Sequence, residues 1–580
     1  MELGNLVAEH DDFNGQLVAV TSAQAHQLED PGEAKVKKRR AMVQLHASRP
    51  IRERPVQGTR VAFSAPTGLE FAASRGSRTQ IYGLSALTAS LAPPYILSGY
   101  WGCGMQRLSG ADASFVYGET ASAHMHVGTV ALLDPSTAPG GFDVDRLRSL
   151  VEAREGLLGP FLRRLIEVPL GLDRPAWVDD PHLDLNRQIR PIGLPAPGGP
   201  RELGALVGDL LAYKLEPGRP LWEVWFIEGL EDGRVALLTK MHHCLADGVR
   251  GARLYEVLYD LEPGAPLYRP DTPVLQGERI PTGWEMALRA LPRLASTPLR
   301  AARASGYLVL SARGMLGVHA SPEWPAVTLP FQAPRTSLNR CITPHRGFAY
   351  CSVPLSGVKA IKNALSVTVN DVVLGICAGA LRRYLSDRGE LPSKPLIAQI
   401  PVAVHVDDGG DASRRAWGNS TAVMGAALPT QLEDPVERLA AIHASTHSAK
   451  AMQRALGDDL ILELADVVPP GLLGVGAGAY SRLRLADHLP PIFNLIISNV
   501  PGPPLPLYIG GARLEASYPI GPLLDGGGLN ITAMSYLDRI DFGYVVCPEI
   551  VENPWQLADA TSAAFAELAE AATMSATHPT

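Results

Sequence analysis

The chain has 580 residues, and a single hydrophobic core stops growing near ~250–300 residues, so two globular domains are the starting expectation. Hydrophobic residues at 46% and charged residues at 19% are ordinary for a folded globular protein. A net charge of −7 with a pI near 6.1 argues against nucleic acid as the main partner, because phosphate-binding chains carry a basic excess. The six cysteines (Cys103, Cys244, Cys341, Cys351, Cys377, Cys547) form no CxxC pair and no disulfide rhythm. They indicate free thiols in a reducing compartment and no structural zinc.

Met1 leads into the polar ELGNLVAEHDD, which is not a signal peptide. Residues 1–104 include EDPGEAKVKKRR and RPIRERPVQGTR and hold no amphipathic period for the length of a helix. This stretch is expected to be an extension without a stable fold, and Met105 is a candidate working start. An uncharged window between Arg78 and Arg107 is long enough to span a bilayer, but Pro93-Pro94 and many Ser, Thr and Gly residues argue against a membrane helix there.

From Met105 the patterns become regular. HVGTVALL predicts a strand, and FDVDRLRSLVEAREGLLGPFLRRLIE spaces its leucines as one amphipathic helix. GRVALLTKMHH predicts a second strand and GARLYEVLYDLE a helix, so alternating elements point to α/β layers. Residues 281–316 are basic apart from Glu285, with Trp284, Leu288 and Leu291 at helical spacing beside Arg289 and Arg293. Two readings stand: a helix on a membrane surface, or one packed between domains with solvated arginines. The α/β alternation resumes at APRTSLNRC. Thr368 and Asp371 predict a capping box opening a helix whose buried stripe is Val372, Val373, Ile376, Ala380 and Leu381. GVGAGAY at 474–480 lacks dinucleotide-binding spacing and predicts close helix packing, and PIFNLIISNVPGPP predicts a strand stopped by a Pro-Gly-Pro-Pro turn.

The chemistry-bearing stretch is TKMHHCLADGVRG, residues 239–251. On a strand, successive side chains point to opposite faces, so Leu237, Thr239, Met241 and His243 share one face while Leu238, Lys240 and His242 share the other. His242 and His243 therefore cannot converge on one metal ion, and the His-x-x-x-His helix spacing of zinc proteases is absent. A structural, hydrogen-bonded histidine is the plain alternative. The functional reading is that His243 is a general base with Asp247 holding the local backbone and ring, since a neutral imidazole can take a hydroxyl proton at working pH. Gly248 permits the tight turn from strand to helix. There is no G-x-S-x-G elbow and no phosphate-binding G-x-x-x-x-G-K-[ST] loop. Cys244 points away from His243 and is a poor candidate nucleophile.

HHCLADG matches the HHxxxDG motif of the CoA-dependent acyltransferase superfamily. From Met105 almost to its end the chain resembles the bacterial wax ester synthase/diacylglycerol acyltransferase family. That resemblance rests on LSGADASFVYGE and HMHVG (108–128), PLWEVWFIEGL (220–230), APRTSLN (333–339), Asn370-Asp371, IPVAVH (400–405), WGNS (417–420) and SNVPGPP (498–504), in that order. Departures are Gly110, Arg250 and His405, and they bear on substrate preference. The resemblance implies an α/β fold of two chloramphenicol-acetyltransferase-like sandwich domains, 105–265 and 333–575, joined by a crossover at 266–332 and enclosing an interdomain tunnel. It further implies that His243 deprotonates a lipid hydroxyl, which attacks the thioester of a long-chain acyl-CoA directly. In that picture His242 supports, Asp247 orients, and no cofactor is bound beyond acyl-CoA as co-substrate. The acceptor would be diacylglycerol, giving triacylglycerol, or a fatty alcohol, giving wax ester. Pro220, Leu221, Trp222, Asn370, Asp371 and Asn499 suit architecture better than chemistry: a pocket wall, a helix N-terminus and a strand-ending turn. The location implied is cytoplasmic, peripheral to the inner membrane face or to lipid bodies. The rival readings are a condensation-type acyltransferase with another acceptor and a non-catalytic lipid-body protein.

Overall fold

The computed structural model describes residues 105–180, 183–245, 248–265, 279–319, 331–403, 421–456 and 470–577. The strands in chain order are β1 (Gln106–Arg107), β2 (His126–Asp134), β3 (Arg163–Ile166), β4 (Ala176–Asp179), β5 (Ile189–Gly193), β6 (Trp222–Glu228) and β7 (Val235–His242). The series continues with β8 (Gly347–Pro354), β9 (Leu396–Ala403), β10 (Thr421–Leu428), β11 (Leu495–Val500), β12 (Tyr508–Ile509), β13 (Ala512–Ile520), β14 (Leu529–Tyr536) and β15 (Arg539–Val546). Helices are α1 (Gly110–Gly118), α2 (Val144–Ala153), α3 (Leu185–Gln188), α4 (Pro200–Ala212), α5 (Gly248–Leu258) and α6 (Gly283–His319). They are followed by α7 (Leu355–Leu365), α8 (Val369–Asp387), α9 (Pro435–Leu456), α10 (Pro470–Arg482) and α11 (Trp555–Thr577).

The fold is α/β, built on two mixed six-stranded sheets in the orders β12-β13-β2-β7-β6-β5 and β10-β9-β11-β14-β15-β8, with a small β1-β4-β3 sheet beside them. Residues 508–520 belong to the C-terminal stretch of the sequence, yet β13 hydrogen-bonds along β2 from Gly128 to Asp134 and completes the first sheet. One face of that sheet packs Leu133, Leu237 and Phe226 against Leu147, Leu150 and Val151 of α2. The opposite face carries Val130, Leu132 and Leu238 into a core continuous with α4, α8, α11 and the second sheet. Residues fall on one core or the other by strand parity alone.

Three expectations need correction. The leucine-rich segment 142–167 is not one helix. Asp143 caps α2 and Leu147, Leu150 and Val151 bury its inner face, but the helix stops at Ala153. Two 3-10 turns and β3 follow, because Gly159 takes a positive φ of 46° and Pro160 cannot continue an α-helix. Helix α8 begins at the expected capping box. It shows no single stripe: Leu374, Cys377 and Ala378 are as buried as Val372 and Ile376, since α9, α11 and the second sheet enclose it. Helix α10 does pack on α1, but of the three glycines of GVGAGAY only Gly474 lies at the contact, with Tyr117 against it, while a side chain at Gly476 or Gly478 would enter open space.

Helix α6 settles part of its two readings. Met286 and Ala290 pack under it onto Val168, Ala176 and Val178, and Arg293 reaches the buried Asp173 carboxylate at 3.2 Å, beside Arg107 at 2.6 Å. Arg293 is therefore engaged in an ion pair rather than solvated. Trp284, Leu288 and Leu291 lie on the opposite side of the same turns and are 72%, 46% and 54% exposed. Among the described residues no single helix is long and apolar enough to cross a membrane, and the window 79–106 falls outside them except for its last two residues.

The capping box of α8 extends into a buried network. Asp371 Oδ2 accepts from the Thr368 N–H (3.0 Å), the Thr368 hydroxyl (2.8 Å) and His443 Nδ1 (2.7 Å), and Oδ1 accepts from the Thr446 hydroxyl (2.8 Å). Burial pushes the Asp371 carboxyl up, but His443, Thr368 and Thr446 outweigh it and hold it below the usual carboxylate value. A depressed folded-state pKa gives stability that is present above the unfolded value and is lost as pH falls through the folded one. Asp371→Asn should therefore lower the unfolding free energy at neutral pH by about 2–3 kcal/mol in urea titrations. The gap to wild type should close as the solution is acidified below the carboxylate range; a gap independent of pH would contradict the charge-based account.

Candidate active site

The site is built from the β2–β7 ladder. His126 pairs with His242, Val127 with Met241, and Gly128 with Lys240. A Cβ added to Gly128 would stand 1.8 Å from the Thr239 carbonyl oxygen, so only glycine lets β7 lie this close. That requirement explains the glycine of HMHVG. β7 ends at His242, and the chain turns through His243, Cys244 and Leu245 before α5 opens at Gly248.

Alternation then separates the two histidines as expected. Leu237, Thr239, Met241 and His243 face a common cavity of about 450 Å³, whereas Lys240 and His242 face the other way and are buried. The cavity has two walls. One is the face of the first sheet just named, with Thr129 of β2; the other is a face of the second sheet carrying Gln399, Ile496, Ser498, Asn530 and Thr532. These are alternate residues of adjacent strands in register, Ile496 beside Gln399 and Asn530, and Ser498 beside Thr532.

The His243 imidazole is half-buried in this wall and stacks on Phe115 of α1, centroids 3.9 Å apart and planes within 4°. Its backbone N–H donates to Met125 O at 2.9 Å. His242 is fixed differently. Its Nδ1 accepts the Cys244 N–H at 3.2 Å, which leaves the ring proton on Nε2, 3.5 Å from Glu119 Oε2. That approach is electrostatic, for Nε2 makes no hydrogen bond among the described residues. Glu119 also pairs with Lys214 at 2.9 Å. Burial pushes the Glu119 carboxyl up, and the contacts to His242 and Lys214 more than reverse this. Behind them, His126 is held well below its ordinary value by burial and then by Lys240, so it is neutral at working pH. Cys244 is buried against the first core, and burial pushes its thiol well up, which disfavours the thiolate a nucleophile needs.

The remaining motif residues sit around this centre. Leu221 O accepts the His242 N–H at 2.9 Å, Trp222 lines the cavity and donates its indole N–H to Phe161 O at 2.6 Å, and Pro220 O accepts from Gln188 at 3.1 Å. The Pro-Leu-Trp segment thus holds the end of β7 from the side. Asn499 Nδ2 donates to Asn370 Oδ1 at 3.4 Å, joining the end of β11 to the first turn of α8, and Asp371 lies in the buried network described above. In VPGPP, Pro501, Gly502 and Pro503 line the cavity, and a Cβ on Gly502 would stand 1.9 Å from Ser535 O. Asp247, His405 and the WGNS segment lie outside the described residues. Among the described residues no group of three or more His, Cys, Asp or Glu side chains is placed to hold a metal ion.

Phe115 and Glu119 were not singled out as site residues by sequence, although both stand in LSGADASFVYGE. Ser109 caps α1 by accepting the Asp112 N–H at 3.0 Å, and the helix so started carries Phe115 to His243 and delivers Glu119 to His242.

The wax ester synthase/diacylglycerol acyltransferase catalytic domain model matches residues 108–373, and the C-terminal domain model of the same family matches residues 417–569. The chain belongs to this family. A Mycobacterium tuberculosis (H37Rv) protein provisionally named a diacylglycerol O-acyltransferase is 37% identical over 472 residues, spanning 80% of this chain and 90% of the relative. A second, similarly named protein of that strain is 36% identical over 474 residues, 81% of this chain and 97% of the relative. The solved wax ester synthase/diacylglycerol acyltransferase from Marinobacter aquaeolei VT8 superposes with a TM-score of 0.57 at 31% identity, covering 80% of this chain and 99% of that one. This member of the family is thus an acyltransferase of lipid biosynthesis.

Gly128→Ala should destabilise this acyltransferase by about 3 kcal/mol or more, since backbone must move. Loss of activity should accompany the lowered denaturation midpoint; a variant of unchanged stability would show that β2 and β7 are not so closely held.

Proposed function

We propose that the protein transfers a long-chain acyl group from acyl-CoA to the hydroxyl of diacylglycerol, forming triacylglycerol, and that fatty alcohols serve as alternative acceptors giving wax esters. The observation that carries this reading is the position of His243: it is the histidine of the pair that faces a large, mainly apolar cavity, while His242 is turned into the protein. His243 acts as general base, taking the acceptor's proton as the oxygen attacks the thioester carbonyl. When the tetrahedral intermediate collapses the C–S bond breaks, and the protonated imidazole returns the proton to the CoA thiolate. The step is direct and leaves no acyl-enzyme. Stacking on Phe115 restricts the His243 ring, so the base is pre-positioned. His242, held between the Cys244 N–H and Glu119, supports the turn that carries His243, and Asp247 is assigned an orienting role.

The same reading includes a peripheral lipid surface as the place of work. Trp284, Leu288 and Leu291 project from α6, within a segment of basic residues, on the side opposite the face that packs onto the protein. An apolar stripe flanked by arginines suits an anionic lipid interface.

His243→Ala should reduce turnover of oleoyl-CoA with diacylglycerol and with hexadecanol by ~10²–10⁴-fold, with the circular dichroism spectrum unchanged. Turnover equal to wild type would remove His243 from the mechanism. Replacing Trp284 and Leu288 together by Glu should release the protein from phosphatidylglycerol vesicles in flotation assays, and retention on the vesicles would locate the docking surface elsewhere.

A further inference from the structure

The cavity beside His243 has two arms of unlike chemistry. Toward the second sheet its lining includes Gln399, Ser498, Asn530 and Thr532. Toward the first sheet it runs beneath α2 and α5, where its lining is mainly apolar and the hydroxyls are those of Thr129, Thr239, Tyr255 and Tyr259. Along β7 the cavity residues extend from His243 back to Leu237, six positions away. At about 3.3 Å per residue this arm reaches about 20 Å from the imidazole. The residues around it, Leu147, Leu158, Phe161 and Ile189, are almost completely shielded from solvent, so the arm lies inside the domain.

The end has an identifiable cause. Leu237 pairs across the ladder with Phe226, so both side chains point to the same face. Leu237 lines the cavity, and the fully buried Phe226 does not. Phe226 packs against Phe142, ring centroids 5.4 Å apart, and Phe142 is in turn held under Gly510, where a Cβ would lie 2.9 Å from the ring. Two buried aromatic rings close the tube beside Leu237, at its last open level.

We infer that this blind arm is the gauge for the acyl chain of the thioester, with the Phe226–Phe142 pair as its stop. The inference rests on the acyl-transfer reading above and adds to it which substrate fills which arm, and what limits chain length. An unsubstituted alkyl chain needs no hydrogen bond and loses nothing in a mainly apolar tube. The ester oxygens of a diacylglycerol would be desolvated beyond the Thr129 and Thr239 level of that arm, at a cost of roughly 1–3 kcal/mol for each one left unpaired. The amide and hydroxyl groups on the second sheet's wall can meet those oxygens, so the acceptor is assigned to that arm.

Val224 lies on the cavity wall level with Thr239, about midway along the arm. Val224→Phe should raise the ratio of kcat/KM for octanoyl-CoA over hexadecanoyl-CoA by about tenfold or more. The corresponding ratio for octanol over hexadecanol, measured with one fixed acyl-CoA, should not move. Phe226→Leu should shift the acyl preference the other way, toward chains longer than hexadecanoyl. A shift in the alcohol ratio with the acyl ratio unmoved would assign the arm to the acceptor and overturn the inference, as would two unmoved ratios. Binding separates this from failure of the chemistry. In a His243→Ala background the thermal shift given by hexadecanoyl-CoA, relative to octanoyl-CoA, should shrink on adding Val224→Phe; an unchanged difference would overturn the gauge even if no variant turned over.

Discussion

The close approach of β2 and β7 is the contact on which the site depends. Gly128 leaves no atom in the way of Thr239 O, so the two strands pair without a bulge up to His126 and His242. Because that register runs unbroken to the last residue of β7, parity is fixed at the strand end, and the next residue, His243, emerges on the face where the cavity lies. A slip of one position would exchange the faces and present His242 instead.

Around this ladder the protein arranges two kinds of support. Apolar packing on the cavity side comes from α2 and α5. On the reverse side lies a buried polar layer in which Lys240 Nζ meets Glu223 at 2.5 Å and the Leu210 and Tyr213 carbonyls at 2.9 Å. Burial lowers the Lys240 pKa and Glu223 opposes that, so the ammonium is retained only through its partners. A charge that must keep all its partners fixes β7 against β6 and α4 more specifically than hydrophobic contact would. The histidine row His124, His126 and His242 sits in the same layer, its first two members kept neutral by burial.

The cavity shows how two sheets of similar construction divide the work. On the first sheet, the wall extending from His243 is mainly carbon, interrupted by the Thr239 and Thr129 hydroxyls. On the second, the equivalent alternation of β11, β14 and β9 places amides and hydroxyls at the surface. The acyl transfer proposed above joins a plain hydrocarbon chain to an oxygen-rich acceptor, and that asymmetry suits it. The Asn370–Asn499 contact and the Asp371 network anchor the second wall by tying β11 and α9 to the start of α8.

Much of this was legible before any fold was seen. Strand parity alone separated His243 from His242, the Thr368–Asp371 box was readable as a helix start, and the spacing of Trp284, Leu288 and Leu291 foretold a face of α6, because each depends only on local backbone geometry. The helix expected through 142–167 stopped at Ala153, and the breakers Gly159-Pro160 kept the leucine period from resuming it. What sequence could not supply were relations between distant segments: β13 joining β2, Phe115 stacking on His243, Glu119 reaching His242, and Phe226 meeting Phe142. Those partners are chosen by which surfaces remain uncovered once the layers assemble. Local pattern decides which way a side chain points; only tertiary packing decides what it then meets.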